Sequence, residues 1–177
     1  TPLKLNGKKY FVRPDGMILS PETGKKVSEK AIQVYSSVAT PIVSENYVAF
    51  ITSTNPNQWD KRGISYYQIP KEIKEGFKPE TKTPPFPEWD VNFLGGKPAD
   101  SRSFGASPLI NKGIVYFIYS MGYFYAEDLK TGKRLYREKL DFGPAPLYHG
   151  HRPYGCGTFS SPSLAGGKIY VFANNGV

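Results

Sequence analysis

The stretch ASPLINKGIVYFIYSMGYFYAEDLKTGKRLYREKL, residues 106–140, decides the fold. A short apolar run ends at Asn111-Lys112-Gly113, and a run rich in β-branched and aromatic residues follows it. A turn at Met121-Gly122 leads to a third run, and Thr131-Gly132 leads to a fourth. Glycine and asparagine readily adopt the positive φ of tight hairpin turns, and the runs between them are typical of strands. The stretch therefore predicts a four-stranded antiparallel meander.

The same order of strands and turns occurs four times along the chain. The approximate copies cover residues 5–30, 38–82, 105–140 and 160–177. Each meander has apolar faces that a neighbouring sheet can bury, so meanders in tandem stack on one another. The sequence therefore predicts an all-β fold, a β-propeller of four-stranded antiparallel blades with about three to four blades or part-blades present. We expect one segment, 1–177, of a larger propeller, whose only helix is a short turn over residues 71–76.

One motif carries a family resemblance. The spacing Ala126-x-Asp128-x-x-Thr131-Gly132-x-x-x-Tyr136 resembles the blade motif of pyrroloquinoline quinone (PQQ)-like repeats, Ala-x-Asp-x-x-Thr-Gly-x-x-x-Trp. The Ser-Pro pairs at positions 107 and 161 also resemble the start of that family's innermost strand. The resemblance covers most of the chain except about residues 71–103. It implies that Tyr136 takes the tryptophan position, buried between two blades, and that the protein is exported to the periplasm or the cell exterior.

Composition excludes several classes of function. The chain of 177 residues is 39% hydrophobic and 15% aromatic, more than a disordered protein carries. No run approaches the roughly 20 apolar residues of a transmembrane span. The net charge is +8, but the basic residues are scattered in pairs beside turns, so nucleic acid is not an expected partner. Cys156 is the only cysteine, which excludes an internal disulfide.

Residues able to form a ligand site occur in the irregular stretches between the strands. The loop after the second strand of a meander and the connection between blades lie on the same rim, where binding residues commonly collect. An alternative is that the tryptophans only cap the blade ends. The histidines and the cysteine are metal-ligand types, but their spacing matches no zinc or copper motif, so no metal site is predicted. The predicted rim face comprises Trp59, Trp89, Asp100, Arg102, His149, His151, Arg152 and Cys156.

Three functions remain open from the sequence, and catalysis is neither assigned nor excluded. The first is a non-catalytic scaffold for binding or assembly, without a cofactor. The second follows from the resemblance: part of a dehydrogenase that oxidises alcohols or sugars with PQQ and calcium. Family enzymes commonly hold the quinone against two adjacent cysteines, and this chain has one cysteine. The third is a carbohydrate-binding or hydrolytic propeller that uses Trp59 and Trp89. The expected partner is thus a protein, a small molecule or a carbohydrate.

Overall fold

The computed structural model describes residues 1–31, 40–53, 62–82, 106–118, 123–141 and 160–172. Within these ranges every regular element is a β-strand. In each sheet, every strand pairs antiparallel with the strand that is next to it in the chain. The first sheet contains β1 (Pro2–Leu5), β2 (Lys8–Val12) and β3 (Ile18–Leu19), and the second contains β4 (Ile42–Ser44), β5 (Tyr47–Ser53) and β6 (Arg62–Gln68). The third contains β7 (Leu109–Asn111), β8 (Ile114–Ile118), β9 (Tyr123–Asp128) and β10 (Arg134–Lys139), and the fourth contains β11 (Ser163–Ala165) and β12 (Lys168–Tyr170).

The connections within each sheet alternate between its two ends. The first and second strands are joined by two-residue turns, and we call the end that carries them the turn end. Both residues of every such turn have positive φ, as type I′ hairpin turns require. We call the opposite end, where the second and third strands are joined, the loop end. The four turns are Asn6 and Gly7, Glu45 and Asn46, Lys112 and Gly113, and Gly166 and Gly167.

Successive sheets stack through three apolar cores. Successive side chains of a strand point to opposite faces, so Val48 and Phe50 pack on the first sheet while Ala49 packs on the third. The second and third sheets are consequently buried on both faces. The core between the first and second sheets includes Leu3, Val12, Ile18 and Tyr67; that between the second and third includes Tyr66, Val115, Phe117 and Tyr125; that between the third and fourth includes Ala106, Ile118, Phe124, Ile169 and Val171.

The sheets agree with the sequence predictions at the level of the architecture. The meander predicted for residues 106–140 is confirmed by the third sheet, whose strands lie in the order β7, β8, β9, β10. The all-β class with stacked antiparallel sheets is confirmed as well. The division into repeat copies stays a prediction.

The helical turn predicted over residues 71–76 is wrong. The segment forms bends and a single turn, in which the Phe77 N–H donates to the Lys74 carbonyl at 3.0 Å. Ile73 and Phe77 both pack on the core between the first and second sheets. An isolated run of six residues is too short to be stable as a helix on its own. The burial of Ile73 and Phe77 in this core therefore determines the conformation of the segment.

The predicted burial of Tyr136 is also wrong. Tyr136 is 47% exposed, and its ring meets the edge of the Phe124 ring at a centroid distance of 6.2 Å. Tyr136 lies on β10, the outer strand of the third sheet, where nearly every residue is exposed. The fourth sheet packs through Ile169 and Val171 on the core around Phe124.

Candidate functional site

A cleft with a volume of about 940 Å³ lies at the turn end, beside the second sheet. The turn residues Asn6 and Asn46 line one side, and the end of β6 lines the middle. The segment after β6 lines the other side and is joined there by Lys130 of the third sheet. Three neighbouring sheets therefore contribute to a single depression, and we take it as the candidate binding site.

The cleft exists because residues 77–82, which we call the strap, pair with two different sheets. At one end of the strap the Tyr66 N–H donates to the Lys82 carbonyl at 3.0 Å, and the Lys82 N–H donates to the Tyr66 carbonyl at 2.8 Å. At the other end Phe77 forms a parallel bridge with Ser28, and its carbonyl accepts the Glu29 N–H at 2.8 Å. The strap thus leaves the edge of β6 and crosses to the first sheet, which opens the cleft between them.

The edge of β6 beyond Tyr66 faces this opening. Backbone groups of successive residues in an antiparallel strand point alternately to the two sides. The Tyr66 groups point to the strap, whereas the Ile69 N–H donates to the Asn46 carbonyl at 2.7 Å, on the inner side. The N–H and C=O of Gln68 must therefore point to the same side as those of Tyr66, where the strap has already turned away.

The cleft is strongly basic. Four lysines, Lys71, Lys78, Lys82 and Lys130, line it together with one acid, Glu80. All five side chains are exposed. The Lys82 ammonium donates to the Lys130 carbonyl, which ties the strap to the third sheet. The lining therefore carries an excess of three positive charges over a short distance.

Tyr66 borders the cleft, and its side chain is fully buried in the core between the second and third sheets. Burial raises the pKa of Tyr66 to about 12, and the nearby carboxylates of Glu127 and Asp128 act in the same direction. The phenol therefore remains protonated at every physiological pH. Its hydroxyl donates to the Asp128 carbonyl at 3.5 Å, a long hydrogen bond.

The Asp-x-x-Thr-Gly motif builds the turn that holds Lys130. The Asp128 carboxylate accepts hydrogen bonds from the Thr131 N–H at 2.6 Å and from the Thr131 hydroxyl at 2.7 Å. The Gly132 N–H donates to the Asp128 carbonyl at 2.8 Å. The hydrogen bonds from Thr131 lower the pKa of the Asp128 carboxyl. The motif is therefore a turn closure, and this carboxylate is not set up as a general base.

Polar clamps between the sheets hold the turn end and the first strands in register. The Glu45 carboxylate accepts the N–H groups of Lys112 at 2.6 Å and Gly113 at 2.5 Å, which fixes the second sheet to the third. The Thr40 N–H donates to the Ser107 hydroxyl at 2.9 Å, and the Ser107 N–H donates to the Ser161 hydroxyl at 2.8 Å. In the sequence Thr40-Pro41 opens one repeat copy as the Ser-Pro pairs open two others, but the hydrogen bonds that these hydroxyls form between sheets were not predicted.

The predicted rim face lies outside the described residues in full. This applies to Trp59, Trp89, Asp100, Arg102, His149, His151, Arg152 and Cys156. Among the residues that are described, no three His, Cys, Asp or Glu side chains gather in a way that could hold a metal ion. The described ranges also contain no helix with the length and apolar character to cross a membrane.

Sequence reasoning missed the cleft itself. Three of its four lysines lie close together in the chain, but Lys130 follows Lys82 by 48 positions and belongs to the third sheet. Only the crossing of the strap brings them together. The sequence shows that lysines 71, 78 and 82 follow a predicted strand and that no Thr-Gly turn follows this strand. These two features indicate an irregular basic segment, but not a cleft.

No profile of a known protein family matches the chain, and no curated protein sequence does. Solved structures do match. The fold is similar to that of BamB from Moraxella catarrhalis. The TM-score is 0.54 at 14% sequence identity, and the match covers 99% of this chain and 45% of the BamB chain. At this identity the similarity concerns the fold alone, and the chain spans less than half of the length of BamB. BamB is a β-propeller of PQQ-like repeats, so the match supports a β-propeller-like fold.

Proposed function

We propose that this chain is part of a non-catalytic β-propeller scaffold that holds a partner protein on its rims. The observation that carries the proposal is the continuous stacking of the four sheets through three apolar cores. Close-packed cores and polar clamps such as that of Glu45 make a rigid frame on which loops can be presented without rearrangement. The similarity to the BamB fold supports a frame of this kind.

The loop end is the proposed face for the partner. The strands that flank the predicted rim residues begin or end there: β5 runs toward the loop end, β6 starts from it, and β10 returns to it. Trp59 and His149 lie in segments that connect at these points. We further propose that the scaffold works without PQQ or calcium and is located in the periplasm or outside the cell.

Site-specific photo-crosslinking in cells tests the scaffold. A benzophenone amino acid replaces Trp59 or His149 in the full-length protein, and a control replaces the exposed Lys25 at the turn end of the first sheet. We expect the two loop-end positions to give an adduct with one and the same protein, identified by mass spectrometry, while the control position gives none. The absence of adducts from both loop-end positions would contradict a partner face there.

A dye-reduction assay separates the scaffold from the dehydrogenase. The full-length protein is supplied with PQQ and calcium, and an artificial electron acceptor is followed with primary alcohols and aldoses as substrates. A scaffold leaves the rate at that of the protein-free mixture. Substrate-dependent reduction that saturates with PQQ would overturn the proposal in favour of an enzyme.

A further inference from the structure

The cleft beside β6 has two properties that together select a ligand class. Its lysines can meet negative charges at several points along its length. The N–H and C=O of Gln68, directed to its open side, can meet a donor and an acceptor spaced as in a β-strand. A ligand that satisfies both sets is an extended polypeptide with acidic side chains.

We propose that the cleft binds an extended acidic segment of a partner protein, which pairs with β6 at Gln68 and places carboxylates beside Lys82 and Lys130. This inference rests on the proposed binding role and adds a second site, at the turn end, with a defined chemistry. The strap is attached to β6 at Tyr66 and to the first sheet at Ser28. The acidic segment occupies the space beside Gln68 between these two attachments.

An acidic sugar chain fits these observations less well. Uronic acid chains offer carboxylates to the lysines, but they carry no alternating amide N–H and C=O groups to pair with a strand edge. The backbone at Gln68 therefore favours a peptide. The two ligand classes differ in one measurable respect, since only a peptide depends on its own N–H groups.

Fluorescence anisotropy with a labelled octapeptide of alternating glutamate and threonine tests the inference on the full chain. We expect saturable binding that weakens with added salt and is absent for the same peptide with glutamine in place of glutamate. The double variant Lys82→Gln and Lys130→Gln should bind roughly three- to tenfold more weakly. The matched control, Lys25→Gln and Lys168→Gln, removes the same charge from exposed positions outside the cleft and should bind as the wild type does.

The backbone pairing is tested from the side of the ligand, so that no variant of the protein can fail to fold. Methylation of the central amide nitrogens of the octapeptide removes its donors and keeps its charge. We expect binding to fall at least tenfold. Unchanged binding of the methylated peptide, equal weakening in both lysine double variants, or equally tight binding of an oligogalacturonate would each overturn the inference. Crosslinks from Trp59 and His149 would survive any of these results, so failure of the cleft is distinguishable from failure of the scaffold.

Discussion

At the scale of single residues, Glu127 is the most strongly constrained charge in the described part of the chain. Its side chain is 1% exposed and forms an ion pair with Arg134 at 3.0 Å, between the second and third sheets. Its Oε2 atom has no hydrogen-bond partner among the described residues. Burial raises the pKa of the Glu127 carboxyl, and the hydrogen bond and charge of Arg134 oppose that shift. A buried carboxylate that is only half satisfied makes folding sensitive to pH.

The sign of this sensitivity follows from proton linkage. Above the ordinary glutamate pKa of 4.5 the unfolded chain has released the proton that folded Glu127 still holds, so stability falls as the pH rises from there through the folded pKa. In Glu127→Gln we expect this fall to disappear, whereas Glu138→Gln, an exposed control on β10, should keep it. Urea unfolding at a series of pH values measures the effect. Parallel profiles for the wild type and Glu127→Gln would contradict it.

Gly16 lies close to both Ala31 and the Phe50 ring of the second sheet. Its φ is +75°, and a Cβ atom built on it would lie 2.5 Å from the Ala31 Cβ and 3.1 Å from the Phe50 ring. We expect Gly16→Ala to cost about 2 to 5 kcal/mol, the sum of left-handed strain and overpacking. Gly24→Ala is the matched control, because its φ is +68° with nothing within 4 Å, and it should cost only about 1 to 2 kcal/mol. Equal losses in thermal or urea unfolding would show that the contact with Phe50 does not matter.

At the scale of elements, local signals predicted the strands, and non-local contacts decided the rest. The turns could be predicted because glycine adopts positive φ without steric cost, as Gly7 and Gly113 do. The helical prediction for residues 71–76 is wrong because Ile73, the apolar residue of this segment, packs in the core between the first and second sheets. The strap could not be predicted, since its pairing with Ser28 joins residues 49 positions apart in sequence, 28 and 77.

The Tyr136 side chain, on the outer strand β10, should contribute little to the stability of the third sheet. Tyr136 is 47% exposed, so Tyr136→Ala should cost less than about 1.5 kcal/mol. Phe117, on the inner strand β8, is 2% exposed and stacks on Tyr125 at a centroid distance of 5.1 Å. Phe117→Ala should cost about 3 to 5 kcal/mol. Melting temperatures of the two variants measure the contrast, and a larger loss for Tyr136→Ala would restore it as a docking aromatic.

At the scale of the whole molecule, the described sheets pack on their neighbours in the stack through separate apolar cores. Phe50 is fully buried between the first and second sheets, where its ring meets the edge of the Tyr67 ring at a centroid distance of 6.3 Å. In Phe50→Ala we expect amide hydrogen exchange to accelerate in those two sheets and much less in the fourth. Residue-resolved exchange under native conditions measures this. Uniform acceleration across all four sheets would indicate a single cooperative unit instead.

The repeats in the sequence predicted the stacking but not the cleft. A repeat reports what its copies share, such as the strands and the hydroxyl before proline. The cleft depends on what the second sheet lacks, a Thr-Gly turn after β6, and on where the substitute segment travels. Of the candidate site, therefore, only the presence of lysines after β6 could be read from the sequence, and their convergence with Lys130 could not.

The strap also has a mechanical consequence. It is hydrogen-bonded to Tyr66 at one end and to Glu29 at the other, so it connects the second sheet to the first across their boundary. A pulling force that separates these sheets would have to break both attachments, in addition to the apolar contacts. The boundary between the third and fourth sheets has no described segment of this kind. Under tension the stack should therefore tear first at the fourth sheet, and the first two sheets should yield last and as a pair.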